Sequence, residues 1–183
     1  MEVVCQSNTG ASVITSGGGF ATHLPAPSYQ ASAVASYLKQ VTPPAGFGKG
    51  KGIPDVSLLG TDYTIVYEDI FTTKHGGDTY ITVDGTSAST PVVAAMITLI
   101  NDARLNRGRS TLGWIHPSLY QHYELFSNDI TSGSNFCTAG FDPTCCSVGF
   151  NATKGWDPTT GFGSINFEAF YDFYTRPLRN RFP

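Results

Sequence analysis

The sequence predicts a globular α/β domain, and three observations carry that prediction. With 183 residues, 40% of them hydrophobic and 13% aromatic, the chain is long and apolar enough to bury one core. Apolar residues recur at helical spacing over 28–40 and 90–107. Short β-like runs, bounded by glycine and proline, lie between those two segments. Charged residues make up only 14%, while Gly (20) and Pro (11) are plentiful, so turns fill much of the chain. The aromatic content and low charge argue against disorder.

Taken in order, Glu2 to Cys5 reads as a short β-like start. Ser16-Gly17-Gly18-Gly19-Phe20 follows as a loop, its glycines free to take positive φ or to let another group approach the backbone closely. Ser28 to Gln40 is a predicted helix with Ala31, Val34, Ala35 and Leu38 on its apolar face. Pro43, Pro44 and the glycines at 46, 48, 50 and 52 forbid its continuation. Asp55 to Leu59, Tyr63 to Tyr67 and Thr79 to Val83 are predicted strands, the last two joined as a hairpin-like excursion through His75-Gly76-Gly77-Asp78. The strongest helix runs from Thr90 to Arg107, with Pro91 in its first turn and Arg104 and Arg107 near its C-terminal end. Pro117 to Phe126 and Phe167 to Tyr174 are shorter helices, the second capped by Asn166. No internal repeat or linker divides the chain, so residues 1–183 are read as one unit.

Several classes of function are disfavoured. Eleven basic and 14 acidic residues give a net charge of -3, with no basic run to attract a phosphate backbone, so no nucleic-acid partner is expected. The most apolar stretch, Pro91 to Ile100, is well short of the ~18 residues of a membrane span, and no membrane partner is expected. The start, MEVVCQSNTG, has no signal-peptide pattern. Yet Cys137, Cys145 and Cys146 crowd one loop beside the sequon Asn151-Ala152-Thr153, which points to an oxidising, glycosylating compartment and hence to an export signal upstream of Met1. Cys137 is expected to pair with Cys145 or Cys146. Zinc is disfavoured, because no C-x-x-C pair or suitably spaced histidine is present.

The chemistry centres on Val83-Asp84-Gly85-Thr86-Ser87-Ala88-Ser89-Thr90-Pro91. Ser87 lies between a β-like run and a long helix, where unpaired N–H groups carry partial positive charge and can hold an oxyanion. Gly85, Ala88 and Ser89 are small enough to leave room for a substrate backbone. A plain N-cap serine is the competing explanation for the same pattern.

Gly-Thr-Ser-Ala-Ser-Thr-Pro followed by an apolar helix resembles the nucleophile motif of the subtilisin clan. It is closer to the sedolisin branch, the serine-carboxyl peptidases, because Val92-Val93 stand where ordinary subtilisins usually carry a histidine. Further landmarks agree in order. They are Ser16 to Phe20; Pro25, Pro27, Ser28, Tyr29 and Gln30; Pro54-Asp55-Val56; Leu112-Gly113-Trp114 with Pro117, Leu119 and Tyr120; Asp129-Ile130-Thr131 with Gly133 and Asn135; and Gly155-Trp156-Asp157-Pro158 with Thr160, Gly161 and Gly163.

The resemblance implies the C-terminal half of a subtilisin-like parallel-sheet α/β domain, with flanking helices and a calcium loop near the end. It implies a serine peptidase, an endopeptidase or tripeptidyl peptidase, acting on peptides or proteins at acid pH in a secreted or lysosome- or vacuole-like setting. Ser87 would be its nucleophile. The Glu and Asp of the triad, and the Asp of the oxyanion hole, belong in this family to polypeptide N-terminal to the Ser16 to Phe20 segment. The expected base therefore lies upstream, the missing N-terminal part of the domain becomes an expected partner, and the chain alone is expected to be inactive, with apolar surface exposed.

Substitute bases within the chain are weaker. Glu168 and Asp172 have i, i+4 spacing but follow every landmark. His75 sits in a Gly-rich turn, His23, His116 and His122 read as exposed, and Asp55 reads as structural. The resemblance also implies one calcium ion bound by the carboxylates of Asp129 and Asp157 and the carbonyls of Ile130, Thr153 and Gly155, stabilising rather than reacting. Two rivals remain: a truncated, non-catalytic calcium-binding or interaction module, and an independent serine hydrolase using a histidine of this chain.

Overall fold

The computed structural model describes residues 1–7, 13–68 and 78–176. Strand β1 (Gly19–Pro25) pairs antiparallel with β2 (Gly50–Ile53), and helix α1 (Ala31–Gln40) lies between them in sequence, entered through a 3-10 turn at Ser28–Gln30. Strands β3 (Tyr63–Glu68) and β4 (Asp78–Val83) form an antiparallel hairpin, as the sequence predicts. Helix α2 (Thr86–Leu105) follows directly, then α3 (His116–His122), the short pair β5 (Ser127–Asn128) and β6 (Ser164–Ile165), and α4 (Phe167–Thr175).

The parallel sheet expected from the resemblance is not what the described residues form. All three ladders are antiparallel, and parallel pairing is confined to a single bridge, Ser57 to Ser164. A parallel ladder needs a second strand laid alongside by a crossover connection. The segment 54–60 bonds Phe162 and Gly163 through its backbone but builds no ladder, so the strand expected over Asp55 to Leu59 is reduced to the single Ser57–Ser164 bridge. Glu2 to Cys5 likewise makes no strand: Val4 is buried and bonds the Ser132 carbonyl, while the Cys5 carbonyl accepts from Ser16. The Gly-rich β2 was not foreseeable as a strand, because turn residues compose it.

The core is aromatic. Phe20, Tyr37, Phe150 and Trp156 pack together beneath α1, while Phe126, Phe162, Phe170, Phe173 and Tyr174 join α3 and α4. Edge-to-face contacts of this kind add to area burial. Two glycines exist to permit this closeness. A Cβ on Gly52 would lie 2.3 Å from the Trp156 ring, and one on Gly18 would lie 2.0 Å from the Pro158 carbonyl oxygen. Gln30, fully buried, ties α1 to β2: its amide donates to the Gly52 carbonyl (2.9 Å) and its oxygen accepts from the Gly52 N–H (2.7 Å).

Helix α4 starts as predicted, with the Asn166 side chain accepting from the Ala169 N–H at 3.1 Å. At its other end Arg104, Arg107 and Arg109 donate to the carbonyls of Tyr174 and Thr175. Cations suit the negative end of a helix. A disulfide joins Cys137 to Cys145, one of the two pairings expected, and Cys146 beside it is exposed. Among the described residues, no helix is long and apolar enough to cross a membrane.

Candidate functional site

Helix α2 begins at Thr86, four residues earlier than the expected Thr90, so Ser87 belongs to its first turn rather than preceding it. Pro91 then falls inside the helix, where its missing N–H leaves the Ser87 carbonyl without its i+4 donor. The N-cap is Gly85, which brings no capping side chain. Ser87 is exposed, and among the described residues neither its hydroxyl nor its N–H has a hydrogen-bond partner. The plain-cap explanation therefore fails, because a cap serine would bond its own helix start. Such a first turn can offer N–H groups to a developing oxyanion.

Three bonds hold this turn to the segment that precedes the hairpin. The Ser89 hydroxyl donates to the Leu59 carbonyl at 2.7 Å, the Gly85 N–H donates to the Gly60 carbonyl at 2.7 Å, and the Asp62 N–H donates to Asp84 Oδ1 at 2.9 Å. Asp62 takes a left-handed conformation with φ 59°, and Asp84 supports it there. Asp84 thus has a holding role.

Beside this turn lies a cavity of about 500 Å³, lined by Ser16, Val56, Leu58, Thr86, Val93 and Ile97 among others. Helix α2 carries an apolar face along it, yet Ile100 is its only buried residue, and Leu99 and Leu105 are more than half exposed. A helix this apolar and this uncovered has a face suited to further packing.

None of the four histidines serves Ser87 among the described residues. His75 lies outside them. His23 is exposed on β1. The other two correct the expectation of exposure: His116 is half-buried with Nε2 3.5 Å from Asp55 Oδ2, and His122 packs against the Phe173 ring. Asp55 is a structural hub, as expected, approached also by Lys51 Nζ (3.3 Å) and by the Tyr120 hydroxyl (2.8 Å). Burial and the Asp55 charge together raise the Tyr120 hydroxyl above its ordinary value. In α4 Asp172 is paired with Arg176 and Glu168 is exposed, consistent with the coincidental spacing of that pair.

The five expected calcium ligands come together in part. Asp157 is fully buried; its Oδ1 accepts from the Thr159 N–H (2.9 Å) and Thr160 N–H (2.8 Å), and its Oδ2 from the Thr153 N–H (3.0 Å). Asp129 Oδ2 accepts from the Gly155 N–H at 2.8 Å. Both carboxylates thus accept from one turn, 153–155, and Ile130 is buried next to Asp129. Burial raises the Asp157 carboxyl above its ordinary range against the pull of these bonds. Burial, reinforced by the charge of Asp157, pushes the Tyr37 hydroxyl up to about 12. Among the described residues no cationic side chain pairs with Asp129 or Asp157, and no three His, Cys, Asp or Glu side chains converge. The chemistry brought together is thus two carboxylates at one backbone turn; oxygen donors of this kind suit a hard divalent cation better than zinc.

Comparison with known proteins gives consistent results. The model of the subtilase family matches residues 3–124. Physarolisin of Physarum polycephalum is 42% identical over 179 residues, covering 94% of this chain and 29% of that protein. Tripeptidyl-peptidase 1 of Macaca fascicularis is 40% identical over 159 residues, covering 84% of this chain and 26% of that protein. A solved structure of Pseudomonas sedolisin, a serine-carboxyl proteinase complexed with two molecules of pseudo-iodotyrostatin, superposes with a TM-score of 0.59 over 92% of this chain and 38% of that one, at 23% identity. The chain spans less than a third of the length of these curated relatives.

Proposed function

Because the chain belongs to the subtilase family, with sedolisins among its relatives, we propose that it is the nucleophile-bearing, C-terminal portion of a serine-carboxyl peptidase domain. Peptides or proteins are its substrates, in an acidic secreted or lysosome-like setting. The observation that carries this reading is the exposed first turn of α2, with the Ser87 hydroxyl and N–H unengaged. Ser87 Oγ attacks the scissile carbonyl, and the Ser87 N–H stabilises the resulting oxyanion. A Glu backed by an Asp, carried by further polypeptide of the same protein, takes the proton. A carboxylate base stays partly ionised in acid, where a histidine would be protonated. The uncovered face of α2 and the cavity beside it are the surface on which that polypeptide docks.

The 153–157 turn is the proposed calcium site, with Asp129 and Asp157 supplying carboxylates and Ile130, Thr153 and Gly155 supplying carbonyls. Calcium there fastens the loop between β5 and β6 and neutralises a buried charge.

The test is hydrolysis of an internally quenched peptide at acid pH by the protein from its natural source. Ser87→Ala should lower kcat by about 10⁴-fold or more; an unchanged kcat overturns the proposal. A second reading, a non-catalytic calcium-binding or interaction module, is favoured by one observation: among the described residues no base bonds Ser87. It predicts no acid hydrolysis from the source protein at all.

A further inference from the structure

We propose that Asn151 carries an N-linked glycan. The side chains of Asn151 and Thr153 in the sequon Asn151-Ala152-Thr153 are used neither by the peptidase chemistry nor by the hydrogen bonds of the fold. Segment 150–152 runs antiparallel to 133–135: Asn151 bridges Ser134, the Ala152 N–H donates to the Gly133 carbonyl (3.0 Å), and the Asn135 N–H donates to the Phe150 carbonyl (3.1 Å). Side chains alternate along such a segment. Phe150 therefore points into the aromatic core, while Asn151 points out and is exposed. Among the described residues the Asn151 carboxamide has no hydrogen-bond partner, although its neighbours Phe150 and Asn135 are bonded to each other. Nothing in the fold requires an amide there, and solvent has room for a glycan.

Thr153 gives the second observation. Its hydroxyl is buried and has no hydrogen-bond partner. An orphan buried hydroxyl is a cost to the folded state that valine, of nearly the same shape, would avoid. The sequon explains the hydroxyl, since the transferase requires it on the acceptor. Because the folded loop buries that hydroxyl, transfer must precede packing of residues 153–157, on the nascent chain. The Cys137–Cys145 disulfide belongs to the same oxidising compartment.

In the reaction, the Asn151 amide nitrogen attacks the anomeric carbon of an oligosaccharide carried on a polyisoprenyl pyrophosphate. The new N–C bond forms as the C–O bond to pyrophosphate breaks. The lipid pyrophosphate leaves, the amide nitrogen gives up one proton, and nothing is oxidised or reduced.

The proposal is independent of the peptidase reading and is tested without an activity assay. Protein from its natural source is digested and treated with peptide N-glycosidase in heavy-oxygen water; the Asn151 peptide should be converted to Asp with the label incorporated. Translation into microsomes then compares Asn151→Gln, Thr153→Val and Thr153→Ser. The first two should lose the glycan's mobility shift and the third should keep it. Transfer precedes folding, so a variant that cannot fold still reports. An unmodified Asn151 in the source protein overturns the proposal, as does a Thr153→Val chain that keeps its glycan at Asn151.

Discussion

The proposed calcium site predicts that a chelator destabilises the protein by an amount that grows as pH rises from acid. At a free concentration of 100 times the dissociation constant, a ligand that binds only the folded state contributes about 2.7 kcal/mol. For a chain of this size each kcal/mol moves the melting temperature by ~2–4 °C, so the calcium shift should be roughly 5–11 °C. The pH dependence follows from Asp157. Burial holds its carboxyl above the ordinary 3.8. Without metal the folded chain retains a proton that the unfolded chain gives up, so metal-free stability falls as pH rises from 3.8 through the folded value. At the proposed site calcium would bind the ionised carboxylate, so its contribution should grow over the same interval. The assay is a pH series of thermal melts with calcium or with chelator. The gap between the two curves should widen with pH, and Asp129→Asn should shrink it. A gap that is absent, or constant across the carboxylate range, refutes calcium binding by Asp157.

Other expected outcomes follow from packing and hydrogen bonding. Gln30→Ala should cost about 2–5 kcal/mol in denaturant melts, because it strands both Gly52 backbone groups, each worth ~1–3 kcal/mol when buried unpaired. Gly52→Ala should cost about 1–3 kcal/mol by overpacking against Trp156, whereas Gly17→Ala, with nothing within 4 Å of its Cβ position, should be near neutral. Ser89→Ala removes the bond to the Leu59 carbonyl and should cost about 0.5–1.5 kcal/mol in thermal melts. In the peptidase assay of the source protein the same change should lower kcat with little change in KM, since it acts through the Ser87 turn.

Legibility differed by the kind of signal. The β3–β4 hairpin and helix α4 were readable because alternation, helical spacing and an Asn cap are local. The entry to α2 was misread for a local reason too: proline is common in a first turn, and Pro91 drew the helix start forward to Thr90, when it sits one turn deeper. Strand β2 was hidden because its glycines are there to admit Trp156 and to meet Gln30, partners far away in sequence. The two halves of the candidate metal turn, Asp129 and Asp157, lie 26 and 2 residues from Gly155 along the chain, and only the folded backbone brings them to one place. His116 was expected at the surface because nothing adjacent in sequence announces Asp55 as its neighbour.

The distribution of carboxylates argues for the same assignment of roles from another side. Asp55 is engaged by Lys51, His116 and Tyr120; Asp84 accepts from Asp62; Asp157 accepts from Thr153, Thr159 and Thr160; and Asp172 is paired with Arg176. Each of these groups already holds backbone, a hydroxyl or a cation, and moving one to serve Ser87 would release the segment it holds. Asp55 anchors one end of segment 55–62, whose backbone also bonds Phe162 and Gly163, and the other end bonds the Ser87 turn through Leu59, Gly60 and Asp62. Asp55 and Asp84 therefore help fix where Ser87 stands, and under the proposed mechanism a base supplied by other polypeptide would find the hydroxyl in a turn that is already held. Neutralising Asp55 should accordingly loosen the turn as a whole, lowering stability and kcat together, whereas loss of a true base would lower kcat alone.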